Sequence, residues 1–181
     1  MTSLDGQGFR LRRAVPQDVD FLVDLATNED VEPFMSASAA KDRSGMLERI
    51  ARSDEKPEHY GHFIVEVEWH GSTWRAGQIA FSIVNERSRI AQLYGVMLHP
   101  DFRGRGLAAE ATRLFARYLL VDLDFHRVQL EVYGFNDRAI RHFERSGFLK
   151  EGVKRHAYRR DDEWVEGVLF GLVQEDLEGS R

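Results

Sequence analysis

Apolar positions along the chain follow two periods, and each change of period marks a new element. Phe9 and Leu11 alternate with Arg10 and Arg12, the two-residue period of a strand with one buried face. Pro16 to Asp18 then opens a helix in which Val19, Leu22, Val23, Leu25 and Ala26 recur at helical spacing. The loop TNEDVEPFMSASAA leads to a second helix around Lys41 to Arg52, with Met46, Leu47 and Ile50 on one side. Phe63 to Trp69 alternates again, HGS supplies a turn, and Arg75 to Val84 returns as a hairpin partner. Ile90 to Leu98 is the next strand, after which Leu107, Ala111, Leu114, Phe115 and Tyr118 restore the helical spacing. Val128 to Tyr133 is another strand. Asn136 to Arg145 is a helix with Ile140 and Phe143 inward, stopped by Gly147 at the C′ position. Strands over Leu149–Tyr158 and Glu163–Val173 close the chain.

The order predicts an α+β fold in which early strands pair as hairpins and late strands need helical crossovers. A length of 181 residues fits one domain. Residues 9–176 are expected to form it, with 1–8 and 177–181 as flexible tails. No internal repeat or low-complexity segment occurs.

Composition narrows the function classes. Hydrophobic residues make up 43% and charged residues 30%, which supports a packed core and argues against global disorder. The absence of cysteine excludes disulfides, thiolate catalysis and thiolate metal sites, and it fits a reducing compartment. The first residues lack the apolar core of a signal peptide, and no apolar run approaches membrane-spanning length. A cytoplasmic location with no membrane partner is expected. A net charge of −5 argues against a nucleic-acid partner, despite the local cluster Arg10, Arg12 and Arg13, and suits a cationic acceptor.

The chemistry centres on VMLHPDFRGRGLAAEA, residues 96–111. Gly104 and Gly106 sit between and beside arginines, after an apolar strand and before a helix. Glycines let the backbone bend, a helix start offers unpaired N–H groups, and arginines add charge, so the stretch reads as an anion seat, with phosphate the first choice. A P-loop is excluded, because Leu107-Ala108 stands where Lys-Ser/Thr is required. Gly104-Arg105-Gly106-Leu107-Ala108-Ala109 matches a dinucleotide fingerprint, but it follows antiparallel strands and lacks the acidic residue after a second parallel strand. A plain strand-to-helix turn is the remaining alternative.

Arg103-x-x-Gly106-x-Ala108 resembles the Q/R-x-x-G-x-G/A acetyl-CoA signature of the GCN5-related N-acetyltransferase (GNAT) family. GVMLHP resembles the strand before it, and LEVYGFNDRAIRHFERSGFLKEG the strand and helix after it. TNEDVEPFM and HAYRRDDEWVEGVLFGLVQEDL resemble the RimJ/RimL-type branch of protein N-terminal acetyltransferases. The resemblance implies a GNAT fold, a mixed and mostly antiparallel sheet flanked by helices, with acetyl-CoA as co-substrate and no metal. It implies that backbone N–H groups across Arg103, Gly104, Arg105, Gly106, Leu107 and Ala108 hold the pyrophosphate. It also implies that Val96, Met97 and Leu98 pair with pantetheine, one of their N–H groups serving the oxyanion, and that Asn136 contacts the cofactor while capping a helix.

Glu131 occupies the position of a catalytic glutamate in several family members and is the candidate base; the alternative is a structural carboxylate paired with an arginine. The tyrosine that many members carry seven residues after the asparagine is replaced by Phe143, which is expected to pack in the core. Tyr133, Ser146 or water are the substitutes as acid, unless the thiolate leaves unaided, given a thiol pKa of about 8.5. An α-amine is partly neutral near pH 7 and asks little of a base. The acceptor favoured on this ground is a protein or peptide N-terminus of ribosomal-protein type. A polyamine or aminoglycoside acceptor, or a catalytically silent acyl-CoA-binding module, are the alternatives. The family resemblance also implies a homodimer. His59 and His62 are read as part of a solvated loop, Glu29, Asp30 and Glu32 as a solvated acidic loop or acceptor lining, and Trp69, Trp74 and Trp164 as packing residues or pocket walls.

Overall fold

The computed structural model describes residues 3–36 and 39–178. Its strands are β1 Ser3–Gly6, β2 Phe9–Arg13, β3 Tyr60–Trp69, β4 Ser72–Asn85, β5 Ile90–Leu98, β6 Arg127–Tyr133, β7 Leu149–Arg160 and β8 Glu163–Val173. Its helices are α1 Val19–Thr27, α2 Arg43–Glu55, α3 Leu107–Arg117, α4 Asp137–Arg145 and α5 Gln174–Glu178. All strands join one eight-stranded sheet in the order β1-β2-β3-β4-β5-β6-β8-β7.

Alternation along the strands puts a core on each face. Phe63 and Val65 of β3 point to one side, where they join Phe81, Leu93, Leu130 and Phe170 beneath Phe115 of α3 and Phe143 of α4. Ile64, between them, points to the other side and meets Leu22 and Leu25 of α1 and Met46 and Ile50 of α2. Phe63 and Phe115 meet edge-to-face with ring centroids 5.0 Å apart, a favoured aromatic geometry.

Of the late strands, β6 and β7 are reached through α3 and α4, as expected, and β8 is reached by a hairpin. Only β5 and β6 are parallel, joined by the α3 crossover, and their pairing stops after Ile90–Arg127, Ala91–Val128 and Gln92–Gln129. β7 and β8 form a further hairpin, and β8 inserts antiparallel beside β6. Beyond Gln92 and Gln129 the two strands part. From Leu93 to Leu98 and from Leu130 to Tyr133 they share no ladder among the described residues. β5 also bulges: Ala80 pairs with Tyr94 and Gln78 with Met97, leaving Gly95 and Val96 opposite Ile79. Gly95 has φ +61°, a conformation that glycine tolerates.

The expected tails need correction. Ser3–Gly6 pairs antiparallel with β2, and Leu4 packs against the core, so this end is ordered as a strand. At the other end α5 runs through Glu178, and Leu177 also packs against the core. Residues 1–2 and 179–181 of these tails lie outside the described residues.

Two buried polar networks fix α1 and α2 on the sheet. Asp18 is fully buried, accepts from both terminal nitrogens of Arg12, at 2.6 and 2.9 Å, and from the Val15 N–H at 2.9 Å, and forms an ion pair with Arg75 at 3.0 Å. Burial pushes its pKa up, but the Arg12 and Val15 hydrogen bonds and the two guanidinium charges outweigh it and hold the carboxyl below its usual range. Arg13 is buried too, and donates to Ser53 Oγ (2.7 Å) and to the carbonyls of Ser53, Pro57 and Tyr60. It ties the C-terminal end of α2 to the start of β3. No helix of the described residues is long and apolar enough to cross a membrane.

Candidate active site

The parting of β5 from β6 leaves a gap in the sheet, and the glycine loop follows the end of β5. Gly104 and Gly106 have φ of +81° and +77°, and Gly106 is the residue that caps α3. The first bonds of α3 are Ala109 N–H and Glu110 N–H to the Gly106 carbonyl. The N–H groups of Gly104, Arg105, Gly106, Leu107 and Ala108 therefore have no acceptor among the described residues. No heavy atom lies within 4 Å of a Cβ placed on Gly104, and only Glu110 Oε1, at 3.8 Å, approaches one on Gly106. Open space, free donors and the positive end of α3 together fit a pyrophosphate.

The arginines of this loop are employed locally. Arg103 turns its N–H to the Pro100 carbonyl and its Nε to the Leu98 carbonyl at 3.1 Å, which staples the loop to the end of β5. Its backbone donor is thus already used, and the available set starts one residue later than the sequence implies. Arg105 lies 3.6 Å over the Trp69 ring. Trp69 is thereby a wall of the loop, whereas Trp74 and Trp164 are more than half exposed, which corrects their reading as packing residues. Val96, Met97 and Leu98 lie on the stretch of β5 that has parted from β6. Gly77 lets that strand approach β4, since a Cβ there would meet the Met97 carbonyl at 2.2 Å.

Across the gap, Asn136 caps α4 by accepting from the Ala139 N–H at 3.1 Å. Phe143 is buried against Phe148, with centroids 5.7 Å apart, and takes no part in the site. Ser146 is displaced from its expected role as an acid. It is buried at the C-terminal end of α4, where its hydroxyl donates to the His142 carbonyl at 2.8 Å. Tyr133 stacks on Phe135 at 5.3 Å and meets Tyr158 edge-on at 5.4 Å, so it forms part of the aromatic wall.

Glu131 sits on the face of β6 opposite the α3 core, as alternation predicts. Its partners are Tyr158 Oη (2.7 Å on Oε1) and Lys154 Nζ (2.6 Å on Oε2), not an arginine. Gly167 of β8 makes this possible, because a Cβ there would stand 2.0 Å from Glu131 Oε1 and 2.9 Å from Tyr158 Cε2. Burial, then the hydrogen bond and charge of Glu131, push Tyr158 up to about 12, so its proton stays on oxygen. Tyr158 and Lys154 carry no signal in the sequence alone. They reach Glu131 through the β6–β8–β7 order and a register break between Lys154 and Tyr158.

His62 overturns its reading as a loop residue: it is buried on β3, bonded through Nε2 to Gln78 at 2.9 Å. His59 is part-exposed, 3.6 Å from Glu86. Of the acidic loop, Glu32 is paired with Lys41. No group of three or more His, Cys, Asp or Glu among the described residues is placed to hold a metal ion.

The chain matches the acetyltransferase (GNAT) domain family over residues 9–149. A prophage-derived uncharacterized N-acetyltransferase of Bacillus subtilis, YokL, is 26% identical over 98% of this chain and 97% of its own length. The spermidine N(1)-acetyltransferase of Escherichia coli K12 is 28% identical over 62% of this chain and 58% of its own. Among solved structures, spermidine N-acetyltransferase of Vibrio cholerae in complex with CoA and spermine superposes with a TM-score of 0.81 at 18% identity, covering 96% of this chain and 99% of that one. The loop with its free amides, the parted strands and the match over most of its length agree: this chain belongs to the GNAT acetyltransferase family.

Proposed function

We propose that the chain moves the acetyl group of acetyl-CoA onto the primary amine of a small molecule. The carrying observation is the set of unpaired N–H groups from Gly104 to Ala108 beside the open edges of β5 and β6. These amides hold the pyrophosphate; the edge of β5 at Val96 to Leu98 offers main-chain groups to pantetheine; Asn136 flanks it from α4. Acetyl-CoA supplies an activated acyl carbon and a thiolate leaving group.

In this reading the amine nitrogen bonds to the acyl carbon, the carbon–sulfur bond breaks, and the nitrogen loses a proton. Glu131 receives that proton directly or through water. Both of its oxygens are held, so Lys154 or Tyr158 yields one of them as the amine arrives. Tyr158, at about 12, is too weak an acid to protonate the sulfur, and coenzyme A leaves as thiolate, its pKa of about 8.5 being compatible with that. A small-molecule acceptor draws support from the spermidine-acetylating relative. The N-terminal acceptor of the RimJ/RimL branch is the second reading, favoured because an α-amine is partly neutral near pH 7 and asks little of a base.

Thiol release from acetyl-CoA, followed over a panel of small amines, polyamines and N-terminal peptides, tests this. At least one small amine is expected to turn over, with kcat lowered ten-fold or more in Glu131→Gln. Thiol release no faster than hydrolysis with every amine marks a silent cofactor-binding module instead and refutes the proposal.

A further inference from the structure

On the face of the sheet that carries Glu131 lies a cavity of about 310 Å³, formed where small residues sit between large ones. One row across the strands runs His62, Ala80, Tyr94, and the next runs Tyr60, Ser82, Gln92. Ala80 and Ser82 leave the space, and Arg49 and Arg52 of α2 roof it. The Arg49 guanidinium stands 5.6 Å over the Tyr94 ring and that of Arg52 stands 3.7 Å over the Tyr60 ring. Two cations from successive turns of one helix thus converge on one pocket.

His62 supplies an independent sign of a ligand. It lines the cavity, is 2% exposed, and its Nδ1 is the one buried side-chain nitrogen or oxygen among the described residues without a hydrogen-bond partner. Its Nε2 faces the Gln78 amide oxygen, which only accepts, so Nε2 carries the hydrogen and Nδ1 presents a lone pair. Burial pushes the ring down to about 4, which keeps it neutral. The pocket therefore offers positive charge for an oxyanion and one acceptor for a hydrogen beside it.

Its position ties it to the transfer site. Gln92 pairs with Gln129, and their side chains meet at 3.2 Å. Two residues further, on the same face, stand Tyr94 on one strand and Glu131 on the other. Tyr94 is also the residue before the Gly95 bulge.

We propose that this pocket seats a carboxylate or phosphate carried by the amine acceptor itself, with Arg49 and Arg52 as its charge partners and His62 Nδ1 accepting from an adjacent O–H or N–H. The inference rests on the acetyl-transfer reading and deepens it: the acceptor is an anionic amine, and a polyamine meets two guanidiniums of its own sign. Guanidinium groups suit both oxyanions, because their forked N–H groups match two oxygens at once.

The test compares thiol release for β-alanine and O-phosphoethanolamine with that for ethanolamine and spermidine, in the wild type and in the Arg49→Gln/Arg52→Gln double variant. Inorganic phosphate is titrated calorimetrically into both proteins with coenzyme A saturating the glycine loop, and thermal melting verifies the variant's fold. At least one anionic amine is expected to exceed ethanolamine ten-fold in kcat/KM, and the double variant to erase most of that ratio through KM. The better of the two anionic amines tells carboxylate from phosphate. Phosphate is expected to bind the wild type and to weaken ten-fold or more in the variant. Anionic amines no better than ethanolamine, or a ratio untouched by the double variant, overturn the proposal even where other amines turn over. Failure of every amine overturns the acetyl-transfer reading; the phosphate titration then still reports on the pocket, and equal affinity in the two proteins refutes it as an anion seat.

Discussion

Replacement of Gly106 by alanine separates the folding role of the loop from its binding role. Gly106 holds φ +77°, where a Cβ costs about 1–2 kcal/mol of backbone strain. The space around it is open, with only Glu110 Oε1 at 3.8 Å, so no clash adds to that cost. Against an ordinary domain stability of roughly 5–15 kcal/mol the variant stays folded. Binding suffers differently, because the new methyl group stands among the amides that face the pyrophosphate. Loss of one charge-assisted hydrogen bond costs about 1.5–3 kcal/mol, and every 1.4 kcal/mol is ten-fold in affinity. Acetyl-CoA should therefore bind Gly106→Ala about ten-fold to a hundred-fold more weakly by calorimetry, while urea unfolding shows only the strain. Gly8→Ala is the control: its φ is +79°, nothing lies within 4 Å of its Cβ, and it sits in the β1–β2 turn. The same strain with unchanged acetyl-CoA affinity is expected there. Wild-type affinity in Gly106→Ala, or an equal loss in Gly8→Ala, would refute the amide cradle.

Asp18→Asn removes one charge from a buried group held by two arginines and should cost about 3 kcal/mol in urea unfolding at pH 7. The folded pKa of Asp18 is lowered, so its contribution is present above the unfolded value of about 3.9 and is lost as pH falls through the folded one. The gap between wild type and variant should accordingly narrow in acid, and a gap independent of pH between 7 and 2 would contradict this account. Phe143→Tyr tests whether the missing family tyrosine is merely a deletion. The ring is 5% exposed and packed on Phe148, so a hydroxyl placed there is expected to lower stability by about 1–3 kcal/mol without raising kcat. A gain in kcat would mean that position 143 reaches the site.

Local pattern made most elements legible. Phe63 to Trp69 and Ile90 to Leu98 announce themselves by alternation, and the helix after Gly106 by the spacing of Leu107, Ala111 and Phe115. Their bounds shifted mainly where polar ends join the ladder, as at Tyr60 and Ser72. The glycine loop was legible because its chemistry is contiguous. The partners of Glu131 were not, because Lys154 and Tyr158 depend on β8 inserting between β6 and β7 and on an irregular register, neither of which is encoded locally. Ser3–Gly6 escaped notice because a short polar strand at a sheet edge gains its order from its neighbour. Ser146 suggested a proton donor by type, yet a hydroxyl at a helix end finds the nearest free carbonyl first.

The short seam between β5 and β6 has one more consequence. Only three paired positions, with the Gln92–Gln129 side-chain bond and the bonds of Arg89 beside them, join the two strands among the described residues. A pantetheine chain lying along the open edges would lend its amides to both sides and so stitch the halves together from within. In that arrangement the substrate acts as a temporary structural member, and acetyl-CoA is expected to raise the melting temperature of the protein.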